Sequence, residues 1–193
     1  MGKKLDAALE FAMKAHSGQT RKAGGSPYVL HPMEAAVIAA TLTRDEDVIA
    51  AALLHDVVED AGVGIEEIRE KFGSRVADLV SSETENKRHG TPPEQTWQVR
   101  KEETLKTLKE TDDEGVKIIW LSDKLSNIRS MHAGVRREGD AFFNAFHQKD
   151  KKMHEWYYRE VASALESLKD SDAYGEYMFL LDEIFNDKST EDK

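Results

Sequence analysis

One short stretch of the sequence places charged residues inside an otherwise apolar segment. It reads Ala51-Ala-Leu-Leu-His55-Asp56-Val-Val-Glu59-Asp60. A helix that is apolar all round is normally buried, and a buried charge is costly unless it is paired, neutralised or bound to a metal. On one continuous helix, His55 stacks with Glu59 and Asp56 stacks with Asp60, one turn apart. We therefore expect buried metal ligands with two acids one turn away.

Length and composition favour one globular domain. The chain has 193 residues, of which 33% are charged and 39% hydrophobic, a balance typical of a soluble helical protein. We expect one domain over residues 1–186 and a polar tail over 187–193. No apolar run of about 18 residues occurs, and Asp6 and Glu10 interrupt the N-terminal segment, so neither a membrane span nor a signal peptide is predicted. The expected location is the cytoplasm.

The absence of cysteine and the negative net charge restrict the chemistry that the chain can perform. The chain has no cysteine, which excludes disulfides, thiolate metal sites and cysteine nucleophiles. The net charge of −10 argues against a nucleic-acid-binding surface, because such binding depends on neutralising many phosphates. A small anionic substrate requires local positive charge. Arg21 and Lys22 form a basic pair in a Gly- and Pro-containing loop, although such a pair alone is more typical of a solvated loop tip.

Apolar periodicity and capping residues predict an all-α fold without strands. A central helix is predicted over about 46–60, and Ser74 is predicted to cap a helix that follows it. A second helix that is apolar almost all round is predicted over 116–129. Loops are predicted over 83–96 and 133–146, where the periodicity is lost.

Six ionisable residues occupy positions where an apolar face is expected: His31, His55, Asp56, Glu59, Asp60 and Asp123. Two His and two Asp form a mixed nitrogen and oxygen set that suits manganese, iron or zinc with positions left for water. The set is too rich in nitrogen for calcium. Each residue taken alone is more simply a hydrogen-bonded or salt-bridged core residue, so the hypothesis depends on their order in the chain.

Four motifs make that order specific. They are His16-x-Gly-Gln-x-Arg21-Lys22, Pro27-Tyr28-x-x-His31-Pro32, His55-Asp56-x-Val-Glu59-Asp60 and Leu121-x-Asp123-Lys-Leu-x-Asn127-x-Arg129. The pattern resembles the HD superfamily of metal-dependent phosphohydrolases, and more closely the hydrolase domain of Rel/Spo-type alarmone enzymes. The resemblance runs from about residue 5 to residue 170. It implies an HD-domain helical bundle of about eight to ten helices, and a chain of this length resembles a stand-alone small alarmone hydrolase.

The resemblance also implies a role for each matched residue. His31, His55, Asp56 and Asp123 would hold one divalent metal, usually manganese, and Glu59 and Asp60 would position and deprotonate the attacking water. The implied contacts to the nucleotide and its phosphates are Arg21, Lys22, Asn127, Arg129, Arg100 and Lys101. The implied reaction is removal of the 3′-pyrophosphate from (p)ppGpp, giving GDP or GTP and pyrophosphate. The expected partner is therefore a small nucleotide.

Two alternatives remain open. One is an HD phosphohydrolase that acts on another nucleotide, such as a dNMP, a dNTP or NADPH; the basic loop and the acidic pair favour the alarmone. The other is a helical nucleotide-binding module in which the buried His and Asp residues pair with one another. The remaining candidate residues fit no ligand spacing and are predicted at the surface: His89, His132, His147 and His154.

Overall fold

The computed structural model describes residues 2–22, 24–86, 88 and 90–186. Over these residues the chain forms ten α-helices, two 3₁₀ segments and no β-strand. The helices are α1 (Lys3–Ala15), α2 (Leu30–Leu42), α3 (Glu46–Leu54), α4 (Val57–Asp60), α5 (Ile65–Phe72), α6 (Ser74–Glu83), α7 (Pro93–Glu110), α8 (Glu114–Glu138), α9 (Lys151–Ala164) and α10 (Asp172–Phe185). The 3₁₀ segments are Gly139–Ala145 and Glu166–Leu168. The predicted all-α class is confirmed.

Helix α8 lies at the centre of the fold. It is the longest helix of the described residues, with 25 residues, and it packs against α2, α3, α6 and α10. Apolar residues cover almost its whole circumference, as the sequence predicted, and Ile119, Leu121 and Ile128 are fully buried. The side chains that α8 directs towards α2 and α3 are therefore held on a helix that is supported from several sides.

The predicted loop over 133–146 is wrong in its first half, because α8 continues to Glu138. Met131 and Gly134 stay buried under the 3₁₀ segment that follows. A Cβ atom added at Gly134 would lie 2.1 Å from the Phe142 ring, so a larger residue there would force the ring to move. This close packing extends the helix past the point where the apolar periodicity of the sequence fades.

The helix predicted over 46–60 is interrupted in the middle. α3 ends at Leu54, His55 and Asp56 form a turn, and α4 begins at Val57. The backbone stays close to helical, since the Asp60 N–H still donates to the Asp56 carbonyl at 2.8 Å. On a regular helix adjacent side chains diverge by about 100°. The turn instead brings Nε2 of His55 and Oδ2 of Asp56 to 3.2 Å from each other.

Two other predicted boundaries are also wrong. Ser74 is the first residue of α6 and does not cap it; the preceding residue, Gly73, has a φ of 95°, which a residue with a side chain rarely adopts. The loop predicted over 83–96 ends earlier, because α7 begins at Pro93. Proline suits the first position of a helix, where its missing N–H is not needed.

One hydrophobic core extends from Ala8 in α1 to Phe185 in α10. This shared core supports the expected single domain over 1–186, which stays a prediction, whereas the predicted tail over 187–193 lies outside the described residues. None of the described helices is both long enough and apolar enough to cross a bilayer. The cytoplasmic location stays a prediction.

The start of α8 depends on Asp113, which gives a test of the fold. Its Oδ1 atom accepts the Gly115 N–H at 2.9 Å, and its carboxylate pairs with Arg75 of α6. Losing an N-cap costs about 1 kcal/mol, and this half-exposed ion pair adds at most about 1 kcal/mol. We expect Asp113→Ala to lower the free energy of unfolding by about 1–2 kcal/mol at pH 7 in urea unfolding experiments.

The effect of Asp113→Ala will depend on pH. The hydrogen bond from Arg75 holds the pKa of Asp113 below its ordinary value. The carboxylate therefore stabilises the fold fully above its unfolded-state pKa of about 3.9, and this contribution is lost as the pH falls through the lower folded-state pKa. The difference from wild type should shrink in acid. Asp112→Ala, at the exposed neighbouring position, is the control, and an equal effect of both substitutions would contradict the capping role.

Candidate metal centre and adjoining cavity

Three of the predicted metal ligands meet inside the fold. His31 lies in the first turn of α2, His55 follows α3, and Asp123 lies midway along α8. One potential ligand atom from each lies within 4.8 Å of those of the other two, and all three residues are buried. Nε2 of His31 and Nε2 of His55 lie 3.0 Å and 3.6 Å from Oδ1 of Asp123. Two imidazole nitrogens and a carboxylate oxygen at this spacing fit a divalent metal.

Asp56 completes a set of four. Its Oδ2 atom lies 3.2 Å from Nε2 of His55 and 3.5 Å from Nε2 of His31. Within the described part of the chain, Nε2 of His55 is buried and makes no hydrogen bond of good geometry. The opposite nitrogen, Nδ1, lies 2.8 Å from the Ala52 carbonyl and donates to it, so Nε2 is the nitrogen that offers a lone pair once it has lost its proton. A buried ring nitrogen that faces two carboxylates in this way fits a metal ligand.

Burial and neighbouring charges shift the pKa values in this centre in different directions. Burial lowers the pKa of His31, although the nearby Asp123 and Asp56 carboxylates oppose the effect. At His55 burial also disfavours the charged ring, but Asp56 and Asp123 outweigh it and its pKa lies well above the ordinary value. The two imidazoles in turn hold the pKa of Asp56 below its usual range despite burial. The aspartates are therefore ionised, as metal ligands must be, and His55 carries a proton that a bound metal would displace.

The Tyr28 hydroxyl joins the metal centre to the acidic pair. It lies 2.8 Å from Oδ2 of Asp56 and 2.8 Å from Oδ2 of Asp60. Burial and the two carboxylates raise the pKa of Tyr28, so the hydroxyl keeps its proton and donates it to one or other carboxylate. The sequence motif contained Tyr28, but its role depends on a contact between residues 28 and 60 that the pattern alone does not reveal.

A second chain of contacts joins the basic loop to the metal centre. Nη2 of Arg21 donates to Oδ1 of Asn127 at 2.6 Å, and Nδ2 of Asn127 donates to Oδ1 of Asp123 at 2.5 Å. Asn127 reaches Asp123 because the two residues are four apart on α8. The Arg21 guanidinium also lies 5.6 Å from the centroid of the Tyr28 ring. Two backbone hydrogen bonds also close the loop and hold it against the centre, from the Arg21 N–H to the Ser26 carbonyl and from the Tyr28 N–H to the Gln19 carbonyl, both at 2.9 Å.

A cavity of about 620 Å³ opens beside the centre. This volume is within the range of about 300–1,000 Å³ that is common for small-molecule sites. Seven predicted site residues line it: Arg21, Lys22, Glu59, Asp60, Arg100, Lys101 and Asn127. The metal centre lies directly behind this wall, because Asn127 bonds to Asp123 and Tyr28 contacts both Asp56 and Asp60.

Part of the cavity lining is aromatic. It is lined by Trp97, Phe142, Phe146, His154 and Tyr158. His154 was expected at the surface, but it is buried beside Trp97 and its Nε2 lies 2.8 Å from the Gln148 carbonyl. His147 is at the cavity with Nε2 3.4 Å from Lys22 Nζ. His132 is partly buried on α8, and His89 lies outside the described residues.

Glu85 neutralises the second basic pair. Its carboxylate accepts hydrogen bonds from Arg100 and, at 3.0 Å, from Lys101, and its backbone N–H donates to Oε2 of Glu59 at 3.2 Å. Burial opposes ionisation of Glu85, but Lys101 and Arg100 outweigh it and hold its pKa below the ordinary value. An anion thus already lies where phosphate contacts were predicted, next to one member of the acidic pair.

A lysine and a glutamate, both largely shielded from solvent, lie on the other side of Asp123. Lys124 donates to Oδ2 of Asp123, and its ammonium lies 4.6 Å from the centroid of the Trp120 ring. Burial and the negative charge of Asp123 raise the pKa of Glu83 to about 8, against the opposing charge of Lys124. Oε1 of Glu83 is buried without a hydrogen bond to any described residue. Lys124 thus balances the charge of Asp123 on the side away from the histidines.

The structure does not bring Arg129 to the cavity wall. Its guanidinium donates to Glu34 of α2 at 2.9 Å and to both carboxylate oxygens of Glu176 in α10, at 2.7 Å and 2.6 Å. Glu176 and Glu34 together raise the pKa of Arg129. Asn127 and Arg129 are two residues apart, so on a helix their side chains point to different sides.

Comparison with known proteins identifies the family to which this geometry corresponds. The model of the HD domain family matches residues 8–170. The guanosine-3′,5′-bis(diphosphate) 3′-pyrophosphohydrolase of Aquifex aeolicus is 39% identical over 127 residues, which cover 66% of this chain and 18% of that protein. The GTP pyrophosphokinase rsh of Brucella ovis is 37% identical over 134 residues, covering 69% and 17%. The chain thus spans less than a fifth of the length of these curated relatives.

Solved structures match over more of their own length. A metazoan ortholog of SpoT, which hydrolyses ppGpp and plays a role in starvation responses, superposes with a TM-score of 0.74 at 28% identity. The match covers 96% of this chain and 95% of that chain. A protein of Listeria monocytogenes EGD-e superposes with a TM-score of 0.70 at 31% identity, covering 80% and 98%. The described fold is therefore similar to that of two solved structures, which it matches over nearly their whole length.

Metal binding gives a direct test of the centre. A ligand that binds only the folded state stabilises it by about 2.7 kcal/mol at 100 times its dissociation constant. We expect Mn²⁺ or Zn²⁺ to raise the melting temperature of EDTA-treated protein, and His55→Gln to abolish this increase because it removes a ligand nitrogen. His147→Gln, at the cavity but outside the centre, should retain it. A full increase in His55→Gln would show that metal binds elsewhere.

Proposed function

Because the chain belongs to the HD domain family, we propose that it is a metal-dependent (p)ppGpp 3′-pyrophosphohydrolase. The observation that carries the proposal is the convergence of three features on one cavity: the four-residue centre, the acidic pair Glu59 and Asp60, and the basic loop with Arg21. The SpoT ortholog that hydrolyses ppGpp and shares the fold over nearly the whole chain supports the same substrate.

The proposed metal ligands are His31, His55, Asp56 and Asp123, and manganese is the proposed ion. Their two nitrogens and two carboxylates suit manganese, although iron and zinc accept the same donor set. When bound, such an ion supplies a positive charge that stabilises developing negative charge and lowers the pKa of a coordinated water. Tyr28 and Asn127 keep the two aspartates in place through hydrogen bonds.

Glu59 and Asp60 are the proposed general base. They line the cavity at the wall nearest the centre, and hydrogen bonds to Tyr28 and to the Glu85 backbone orient their carboxylates. A carboxylate held within hydrogen-bond distance of the attacking water can accept its proton. The Tyr28 hydroxyl, which keeps its proton, can donate to Asp60 or to Asp56 and so adjusts which carboxylate is the stronger acceptor.

The proposed reaction breaks the bond between the ribose 3′ oxygen and its phosphorus. The oxygen of water forms a new bond to that phosphorus, one water proton passes to the acidic pair, and the 3′ oxygen leaves with a proton returned from the protein. The products are GDP or GTP and pyrophosphate. The charge that develops on the phosphoryl oxygens requires nearby cations, and Arg21 and Lys22 are the cations at this end of the cavity.

Arg100 and Lys101 are the proposed contacts for the 5′ phosphates. Both lie on the cavity wall, and both are paired with Glu85. A diphosphate carries more negative charge than one carboxylate and accepts hydrogen bonds from several donors, so it can compete for this pair. The aromatic side of the cavity, with Phe142, Phe146 and Trp97, offers apolar surface for a purine ring.

The acidic pair provides the decisive test. Loss of a general base typically reduces turnover by about 100- to 10,000-fold. We expect Mn²⁺-loaded wild-type protein to release pyrophosphate from ppGpp, and Glu59→Gln and Asp60→Asn to lose turnover by this factor while still binding metal. Glu66→Gln on the surface of α5 is the matched control. Product analysis by ion-exchange chromatography should include pppGpp, dNTPs, dNMPs and NADPH as competing substrates.

The outcomes separate the alternatives. Turnover of another nucleotide and not of ppGpp would reject the substrate while leaving the HD phosphohydrolase mechanism. Absence of turnover on every substrate, with metal bound, would favour a binding module.

Substrate binding by Lys101 gives a second test of function. We expect Lys101→Gln to raise KM for ppGpp with a smaller effect on kcat, because the proposed role of Lys101 is to bind the 5′ phosphates and not the reacting 3′ phosphate. Lys106 is five residues further along α7 at an exposed position, and Lys106→Gln should change neither parameter. Equal KM values for wild type and Lys101→Gln would contradict the assignment of the 5′ phosphates to this pair.

A further inference from the structure

A buried hydroxyl lies behind His31, on the side away from the other ligands. Nδ1 of His31 lies 2.8 Å from Oγ of Ser126, and Oγ of Ser126 donates to Oε2 of Glu34 at 2.7 Å. Ser126 is 2% exposed. Glu34 is three residues after His31 on α2, and Ser126 is three residues after Asp123 on α8. Residues at this spacing share a helix face, so the contact follows from the packing of α2 on α8.

The hydrogen-bond inventory of these groups defines where the protons lie. A serine hydroxyl has one proton to donate, and an ionised carboxylate can only accept. Since the Ser126 proton is directed to Glu34, Ser126 can only accept from His31. Nδ1 of His31 must then carry a hydrogen, and the lone pair is left on Nε2, the atom that faces Asp56 and Asp123. This is the tautomer that a metal ligand requires.

Arg129 holds the outer end of this contact chain. Its Nη1 donates to Oε1 of Glu34 at 2.9 Å, and its Nε and Nη2 donate to the two carboxylate oxygens of Glu176. Arginine stays charged under all ordinary conditions, so its contact favours Glu34 as a carboxylate. Each oxygen of Glu34 thus has its own donor: one bonds to Ser126 and the other to Arg129.

The second histidine is held differently. Nδ1 of His55 donates to the backbone carbonyl of Ala52, a group that no substitution removes. The orientation of His31 depends on side chains, so it can be altered by mutation without changing a metal ligand.

We propose that Ser126, Glu34 and Arg129 are positioning residues that hold His31 with Nδ1 protonated and Nε2 directed at the metal, and that they thereby set the metal affinity of the centre. This inference rests on the proposed metal site but not on the identity of the substrate. It also gives Arg129 a role that requires no contact with the cavity, whose lining does not include this residue. The chain of contacts runs from His31 in the core to Glu176 on α10.

The first test is metal affinity. Loss of such a supporting contact typically weakens metal binding by about 10- to 100-fold. We expect this decrease for Ser126→Ala in calorimetric titration of EDTA-treated protein with Mn²⁺, a smaller decrease for Glu34→Gln, and recovery towards wild type for Ser126→Thr, which retains a hydroxyl. Ser122→Ala is the matched control, since this buried hydroxyl one turn earlier on α8 donates to the Ile118 carbonyl. It should bind Mn²⁺ as wild type does.

The second test observes the His31 proton itself. In Zn²⁺-loaded protein with ¹⁵N-labelled histidine, we expect an Nδ1–H signal of His31 that is protected from exchange with water in wild type and in Ser126→Thr. In Ser126→Ala this protection should be lost, while the Nδ1–H signal of His55 stays protected. A residue that only supports the fold would not affect one histidine and spare the other.

The outcomes separate this proposal from the proposed function. Equal Mn²⁺ affinity in wild type and Ser126→Ala, or an unchanged His31 signal, would overturn the positioning role. Weakened binding in Ser122→Ala to the same extent would overturn it as well, because a general packing defect would then explain both. A wild-type protein that binds Mn²⁺ but does not hydrolyse ppGpp would reject the substrate and leave the positioning role intact.

Discussion

The burial of ionised groups between α2, α3 and α8 is the constraint on which the rest of the structure depends. Removing a charge from water costs several kcal/mol even in a relaxed protein, so each buried charge needs an opposite charge or a donor close by. Asp123 meets this requirement on both sides, with histidine nitrogens on one and Lys124 on the other. Close approach of the helices is possible because α3 presents fully buried alanines at Ala50, Ala51 and Ala52.

Much of the centre could be predicted because its chemistry is encoded locally. A histidine and an aspartate in an apolar segment, such as His55 and Asp56, indicate a buried polar site, and their order in the chain with His31 and Asp123 favours a metal centre. Helical periodicity likewise predicted that Asp123 and Asn127 share a face, and the structure joins them by a hydrogen bond. The all-α class followed from the same periodicity, since it repeats along most of the chain.

Every feature that the sequence did not reveal depends on contacts between segments that are distant in the chain. The turn at His55 arises where two side chains must face one centre, which a regular helix does not permit. Arg129 was expected at the substrate because it follows Asn127 in a motif, yet Glu34 and Glu176, from two other helices, determine its direction. Glu85 and Phe142 reach the cavity through a loop and a 3₁₀ segment whose paths no periodicity predicts.

The uninterrupted length of α8 has a consequence for how proteins of this kind can diverge. Four residues within two turns of this helix contact different parts of the fold. Asp123 contacts His31, Ser126 contacts Glu34, Asn127 contacts Arg21 of the basic loop, and Arg129 contacts Glu176 of α10. Inserting or deleting one residue between them would rotate the rest of the helix by about 100° relative to the part before it. The residues after the change would then lose their contacts at the same time. Changes of length are tolerated far better in surface loops. Related chains should therefore keep the register of α8 fixed.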